Sequence, residues 1–92
     1  MDEKKLQKEL AKYIDNFGRI IDYPSKRHRM IRPYIYAALT SHFESDKKYT
    51  EKEVNEIIKY WILFEDYVLL RRELVDYHYL DRTSDGRSYW RV

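Results

Sequence analysis

The chain has 92 residues, with 18 Lys and Arg against 16 Asp and Glu for a net charge of +2, the composition of one small domain. It contains no cysteine, which excludes disulfides and cysteine-ligated metal sites, and its two glycines are too few for a glycine-rich phosphate loop. We expect a cytoplasmic protein without a membrane span, because the start MDEKKLQKEL is too charged for a secretory signal and no apolar run is long enough to cross a bilayer.

Residues 1–18 are predicted to form an N-terminal helical segment, the lead-in, that precedes a compact domain over residues 19–92. Apolar residues recur in the lead-in at helical spacing among Lys and Glu, and we expect the helix to stop near Gly18. These apolar positions are Leu6, Leu10, Tyr13, Ile14 and Phe17. Residues 19–23 predict a short extended segment, which Pro24 favours, and Ser25 is an expected N-cap for the helix that follows.

A second helix is predicted over residues 26–43, and Pro33 leaves two alternatives for it. Either the helix is kinked at Pro33, or residues 26–32 form a separate turn and Pro33 lies in the first turn of the main helix. One face of this segment is apolar and includes Ile31, Ile35 and His42. We expect His42 to be a half-buried, hydrogen-bonded ring rather than a metal ligand.

Two further helices and a hairpin are predicted in the second half of the chain. Thr50 and Glu53 have the spacing of a capping box that opens a helix through Trp61, and Asp66 is the N-cap of a helix through about Tyr77. Residues 79–82 and 87–92 predict two strands joined by a turn at residues 83–86, and Tyr49 is expected to add a minimal third strand. This order predicts an α+β fold, a winged helix-turn-helix with one or two extra N-terminal helices and a C-terminal β-hairpin.

Three sequence blocks support this fold by resemblance. They are residues 24–27 (PSKR), residues 49–57 (YTEKEVNEI), and residues 70–77 (LRRELVDY) followed by residues 88–91 (SYWR). Together they resemble a small bacterial domain-of-unknown-function family, family 2087, which occurs alone or appended to winged-helix transcription regulators. The resemblance implies a winged-helix-like module in a regulatory setting. The chain departs from the family pattern at Pro33, at His78 in place of a glycine, and in the apolar connection 61–64.

No pattern in the sequence predicts catalysis. His28, His42 and His78 lie far apart, and no two of them have the i, i+4 spacing of a helical metal site. The serines lack the context of a nucleophile elbow, and the carboxylates alternate with Lys and Arg as on a solvated helix face. We therefore expect a non-enzymatic protein without a metal or cofactor.

The helix before the hairpin is the predicted base-reading element. In a winged helix it enters the major groove of double-stranded DNA, where arginine can donate two hydrogen bonds to guanine. Arg71 and Arg72 are the candidate base readers, and Arg72 points away from the expected core face. That core face consists of Tyr67, Leu70, Leu74 and Tyr77. The candidate phosphate contacts are Lys26, Arg27, Arg29, Lys52 and Arg87.

The acidic residues of the predicted recognition helix argue against DNA binding, and we therefore keep a second hypothesis. Residues 65–77 carry two arginines but four acids, of which Glu73 and Asp76 are not explained as N-terminal caps, and Asp76 can pair with Arg72. The alternative is a protein-interaction or dimerisation module of the same fold that binds a regulator protein or a second copy. Its patch consists of Val68, Leu69 and Val75, with the connection 61–64.

Overall fold

The computed structural model describes residues 2–92, and it has the mixed α+β architecture that the sequence predicts. The elements in chain order are α1 (Glu3–Leu10), a 3₁₀ helix (Lys26–Ile31), α2 (Arg32–Thr40), β1 (Lys48–Tyr49), α3 (Glu51–Trp61), α4 (Tyr67–Asp76), β2 (Leu80–Arg82) and β3 (Tyr89–Arg91). Within residues 2–92, no helix combines the length and the apolar character that a membrane crossing requires.

A small antiparallel sheet closes the C-terminal half of the chain. Its strand order is β1-β3-β2, so the strand next to Tyr49 is the last one in the sequence. Tyr49 pairs with Tyr89 on one side of β3, and Arg82 pairs with Tyr89 on the other. The expected third strand is therefore confirmed, and the hairpin turns at residues 83–88, where Gly86 has a φ of 72°.

The helices α3 and α4 begin at the two caps that the sequence predicts. The Thr50 hydroxyl accepts a hydrogen bond from the Glu53 backbone N–H at 3.1 Å, and the Glu53 carboxylate accepts one from the Thr50 N–H at 2.9 Å. The carboxylate of Asp66 accepts from the Leu69 N–H at 3.2 Å. Such caps satisfy N–H groups that a helix start leaves without partners, and each contributes about 1 kcal/mol.

The core lies where α2, α3 and α4 meet the sheet. It combines aliphatic side chains, most of them at helical spacing, with aromatic rings such as Phe43 and Tyr89. Burial of each large apolar side chain contributes about 1.5–3 kcal/mol relative to an exposed position. Its central members, all less than 2% exposed, are Ile35, Leu39, Val54, Ile58, Leu70, Leu74 and Leu80. This core fixes the rotation of α4, because Leu70 and Leu74 point inward.

The prediction that the N-terminal helix continues to Gly18 is wrong beyond residue 10. Helix α1 ends at Leu10, and Phe17, which the periodicity placed on its apolar stripe, is 84% exposed. Asp15 explains the difference, since its carboxylate accepts hydrogen bonds from the N–H groups of Phe17 and Arg19, both at 2.9 Å. Such a turn competes with the helix, and Gly18 completes it with a φ of 84°.

The structure selects the second of the two alternatives at Pro33. Residues 26–31 form the separate 3₁₀ helix, and Pro33 lies in the first turn of α2, where its missing N–H leaves no helical hydrogen bond unmade. Ser25 precedes the 3₁₀ helix with extended backbone, but its side chain makes no capping hydrogen bond. Helix α2 ends at Thr40, so Phe43 reaches the core from the following turn rather than from the helix.

Candidate nucleic-acid interface

Helix α4 presents Arg72 to solvent. Leu70 and Leu74 are fully buried on its inner side, and Arg72, on the opposite side, is exposed, as its position in the helical pattern predicts. Tyr77, which the same pattern assigned to the core face, is 59% exposed instead. It follows the last residue of α4, where the backbone leaves helical geometry, so the helical spacing no longer sets its direction.

The side chain of Arg71 is largely buried and binds residues of α3. Its side chain is 15% exposed, its Nη1 donates to Oδ1 of Asn55 at 2.6 Å, and its Nη2 lies 3.6 Å from Oε1 of Glu51. The same Glu51 oxygen accepts a hydrogen bond from the Tyr89 hydroxyl at 3.0 Å. Burial and this hydrogen bond raise the pKa of Tyr89. Arg71 therefore joins α4 to α3, and of the two predicted base readers Arg72 is the one whose side chain is exposed.

A polar cleft of about 340 Å³ lies between α4, the start of α3 and the hairpin. Its lining residues are Glu51, Arg71, Arg72, Val75, Asp76, Arg82 and Tyr89. Of the three arginines in this cleft, Arg82 was not among the predicted site residues, although it ends the strand before the predicted turn. Within residues 2–92, neither Arg72 nor Arg82 takes part in an ion pair, and the expected pairing of Arg72 with Asp76 is not formed.

Hydrogen bonds to Asp85 stabilise the turn at the tip of the hairpin. Its carboxylate accepts hydrogen bonds from the Thr83 hydroxyl at 2.6 Å and from the Arg87 N–H at 3.0 Å, and these bonds lower the pKa of Asp85. A Cβ at Gly86 would lie 3.1 Å from Nη1 of Arg82. The Arg82 guanidinium thus packs close to the turn, while Arg87 projects into solvent with its Nε 3.7 Å from Asp85.

The predicted phosphate contacts are exposed, but none of them lines this cleft. Lys26, Arg27 and Arg29 lie along the 3₁₀ helix, where Arg29 donates to the Lys26 carbonyl at 3.1 Å. Arg27 borders a surface depression together with Lys5 and Lys8 of α1. The structure therefore places this basic cluster beside the N-terminal helix. Lys52 and Arg87 are exposed on the first turn of α3 and on the hairpin.

Glu73 is not the solvent-facing acid that the charge count assumed. It is partly buried, and its Oε2 accepts hydrogen bonds from the Tyr23 hydroxyl at 2.5 Å and from the Tyr36 hydroxyl. Asp66 caps the helix, so Asp76 is the acid that shares the outward face with Arg72. The predicted repulsion of DNA by Glu73 is therefore wrong. Two of the four acids counted against DNA binding have structural partners.

The alternative interaction patch is smaller than predicted. Val68 is 39% exposed, whereas Leu69 and Val75 are partly buried. In the connection 61–64, Ile62 is buried, and Leu63 is 55% exposed. The exposed apolar residues of this region are thus Val68 and Leu63.

His42 is half-buried, as expected, but within residues 2–92 its ring makes no hydrogen bond, contrary to the prediction, and it stacks on an aromatic ring instead. The imidazole stacks on Trp61 with ring centroids 3.6 Å apart and planes 5° apart, and burial lowers the pKa of His42. Within residues 2–92, no three His, Asp or Glu side chains are grouped so that they could hold a metal ion.

Comparison with known proteins identifies one family. The family model described as "Uncharacterized protein conserved in bacteria (DUF2087)" matches residues 19–91, which is most of the chain. No curated protein and no solved structure matches the chain.

Proposed function

The chain belongs to the bacterial family DUF2087, and from the geometry above we propose that it is a non-catalytic, DNA-binding regulatory module of winged-helix fold. In this proposal α4 is the recognition helix, the β2–β3 hairpin is the wing, and the partner is double-stranded DNA in transcription regulation. The order α2, β1, α3, α4, β2, β3 and the sheet order β1-β3-β2 support the fold assignment.

The observation that carries the proposal is the cleft shared by Arg72 and Arg82. One guanidinium comes from α4 and the other from the hairpin, and neither is neutralised by an ion pair within residues 2–92. A duplex that places its major groove on α4 brings a phosphate strand past the hairpin, so that Arg72 meets base edges while Arg82 and the exposed Arg87 meet phosphates.

Arg71 and Glu73 have a supporting part in this arrangement. Arg71 fixes one flank of α4 to Asn55 on α3, and Glu73 fixes the other flank to Tyr36 on α2. A recognition helix held on both flanks presents Arg72 in a set orientation, which lowers the entropic cost of binding.

The experiment is a fluorescence anisotropy titration of labelled duplex DNA of mixed sequence at low salt. We expect Arg72→Ala to weaken binding by about 1–3 kcal/mol, and Arg82→Ala to reduce the salt dependence by about one counterion. Lys4→Ala is the matched control, since it removes one exposed positive charge from α1. Absence of binding at low salt, or equal losses in Arg72→Ala and Lys4→Ala, contradicts the proposal.

A second candidate function is dimerisation through the α3–α4 connection. The exposure of Val68 and Leu63 favours it, because both aliphatic side chains lie at the start of α4 or just before it. In sedimentation, a dimer that Val68→Asp dissociates without unfolding supports this candidate, whereas a monomer at all concentrations excludes self-association. A symmetric dimer is compatible with DNA binding, since paired half-sites suit a two-fold protein.

A further inference from the structure

A second groove lies apart from the α4 cleft, between the 3₁₀ helix and the C-terminal end of α4. Its volume is about 420 Å³, within the range of about 300–1,000 Å³ that small-molecule sites occupy. The groove is lined by Arg29, Met30, Arg32, Pro33, Tyr36, Tyr77 and Tyr79. It shares none of these residues with the cleft between α4 and the hairpin.

Three tyrosine rings form the aromatic part of the groove. The rings of Tyr36 and Tyr77 are stacked, with centroids 5.5 Å apart and planes 18° apart, and the Tyr79 ring lies 5.5 Å from Tyr36 at 57°. Tyr36 is 3% exposed and forms the floor, whereas Tyr77 is largely exposed. Because Tyr36 is buried beneath Tyr77 and its hydroxyl donates to Glu73, the ring surface open to a ligand is mainly that of Tyr77. A flat aromatic ligand on Tyr77 would extend the existing stack.

The charged part of the groove consists of two arginines. Arg29 uses one of its five N–H donors on the Lys26 carbonyl, and Arg32 uses its Nε on the Pro24 carbonyl at 2.9 Å. Within residues 2–92, neither guanidinium takes part in an ion pair. None of the seven lining residues is acidic, so the remaining donors favour an anion.

We propose that this groove binds a planar aromatic ring that carries an anionic group. The ring stacks on the exposed face of Tyr77, and the anionic group accepts hydrogen bonds from Arg29 and Arg32. Two sources have this chemistry, an aromatic carboxylate and a nucleotide. A neutral aromatic lacks the contact with arginine, and an aliphatic carboxylate lacks the stack, so both are expected to bind more weakly.

The groove adjoins the helix that carries Arg72. The Tyr36 hydroxyl donates to the Glu73 carboxylate, and the Tyr77 N–H donates to the Glu73 carbonyl at 2.9 Å. An occupant of the groove therefore rests on two residues, Tyr36 and Tyr77, that are hydrogen-bonded to Glu73 in the second turn of α4. The inference itself does not depend on whether α4 binds DNA.

The test is a two-dimensional NMR titration of the full chain without DNA. Benzoate is expected to shift the amides of residues 29–36 and 77–79 in a saturable way. Cyclohexanecarboxylate and benzyl alcohol are expected to bind about three- to tenfold more weakly, because each lacks one of the two contacts. Adenosine monophosphate distinguishes the sources, since tighter binding than benzoate identifies a nucleotide and weaker binding an aromatic carboxylate.

Two variants and two matched controls locate the site. Tyr77→Ala and Arg29→Ala are expected to weaken benzoate binding by about two- to tenfold. Tyr34→Ala and Arg27→Ala remove an exposed tyrosine and an exposed arginine that do not line the groove, and they are expected to leave binding unchanged. Shifts that do not saturate, benzyl alcohol binding equal to benzoate, or equal effects in variants and controls would overturn the proposal.

Discussion

The hydroxyl of Tyr36 on α2 donates a hydrogen bond to the carboxylate of Glu73 on α4, 37 residues later in the chain. Tyr23 donates to the same carboxylate oxygen from the connection that precedes the 3₁₀ helix. One acid therefore joins three separate parts of the chain behind the helix that presents Arg72.

Glu73→Ala is expected to lower the free energy of unfolding by about 1–3 kcal/mol, because it leaves two tyrosine hydroxyls without their acceptor. Glu73→Gln keeps one acceptor oxygen and is expected to lose less. Chemical denaturation measures both. Glu56→Ala, at an exposed position of α3, is the control and is expected to change stability by less than about 0.5 kcal/mol. An equal effect of the two alanine variants contradicts a structural role for Glu73.

The tyrosine hydroxyls also predict how stability depends on alkaline pH. Burial and the hydrogen bond to Glu73 raise the pKa of Tyr23 from its ordinary value of 10.0 to about 12, and they raise the pKa of Tyr36 as well. The folded chain thus holds these protons more tightly than the unfolded chain. The resulting stabilisation is complete below pH 10 and is lost as the pH rises towards 12.

Denaturation at a series of pH values measures this loss. Tyr23→Phe has no proton to lose at this position, so its stability is expected to fall less steeply than that of the unmodified chain over the same interval. Parallel curves for the two proteins would show that Tyr23 does not contribute to the alkaline transition.

His42 predicts a dependence of the opposite sign at acid pH. Burial lowers its pKa below the ordinary value of 6.5, so the folded chain binds this proton less tightly than the unfolded chain. Its contribution is present above pH 6.5 and is lost as the pH falls below that value. His42→Phe keeps a ring on Trp61 and is expected to show a smaller loss of stability between pH 7 and pH 5. The exposed His28, changed to Phe, is the control and is expected to retain the acid loss.

His78→Gly is expected to stabilise the fold by up to about 1 kcal/mol. His78 has a φ of 65°, in the left-handed region where residues other than glycine are strained by their Cβ atom. Thermal unfolding measures the gain as a higher midpoint. His28→Gly is the matched control, because His28 has a φ of −112° and gains no relief from glycine. Lower stability of His78→Gly than of the unmodified chain would exclude strain at this residue.

The sequence could predict the local features of the fold, but it could not predict the contacts between distant residues. The capping box at Thr50, the cap at Asp66 and the turn near Gly86 were predictable, because each depends on residues at most a few positions apart. The partners of Glu73 and Arg71 were not predictable, since they lie at least 37 and 16 residues away and only the folding of the chain brings them together. The apolar periodicity predicted that α1 continues to Phe17, because a periodic pattern carries no information on the turn that Asp15 forms.

The candidate site shows the same division. The outward position of Arg72 followed from the helical pattern, but its sharing of a cleft with Arg82 depends on how the hairpin lies against α4. The charge count misjudged Glu73, because composition cannot distinguish a carboxylate that accepts two tyrosine hydroxyls from one in solvent.

The most direct test of the account is NMR chemical-shift mapping of the labelled chain with duplex DNA of mixed sequence at low salt. If DNA binds as proposed, the amides of α4 around Arg72 and of the hairpin from Arg82 to Arg87 show saturable shifts, and these shifts fade as salt is raised. Shifts confined to other parts of the chain, or none at low salt, would contradict DNA binding by the cleft between α4 and the hairpin.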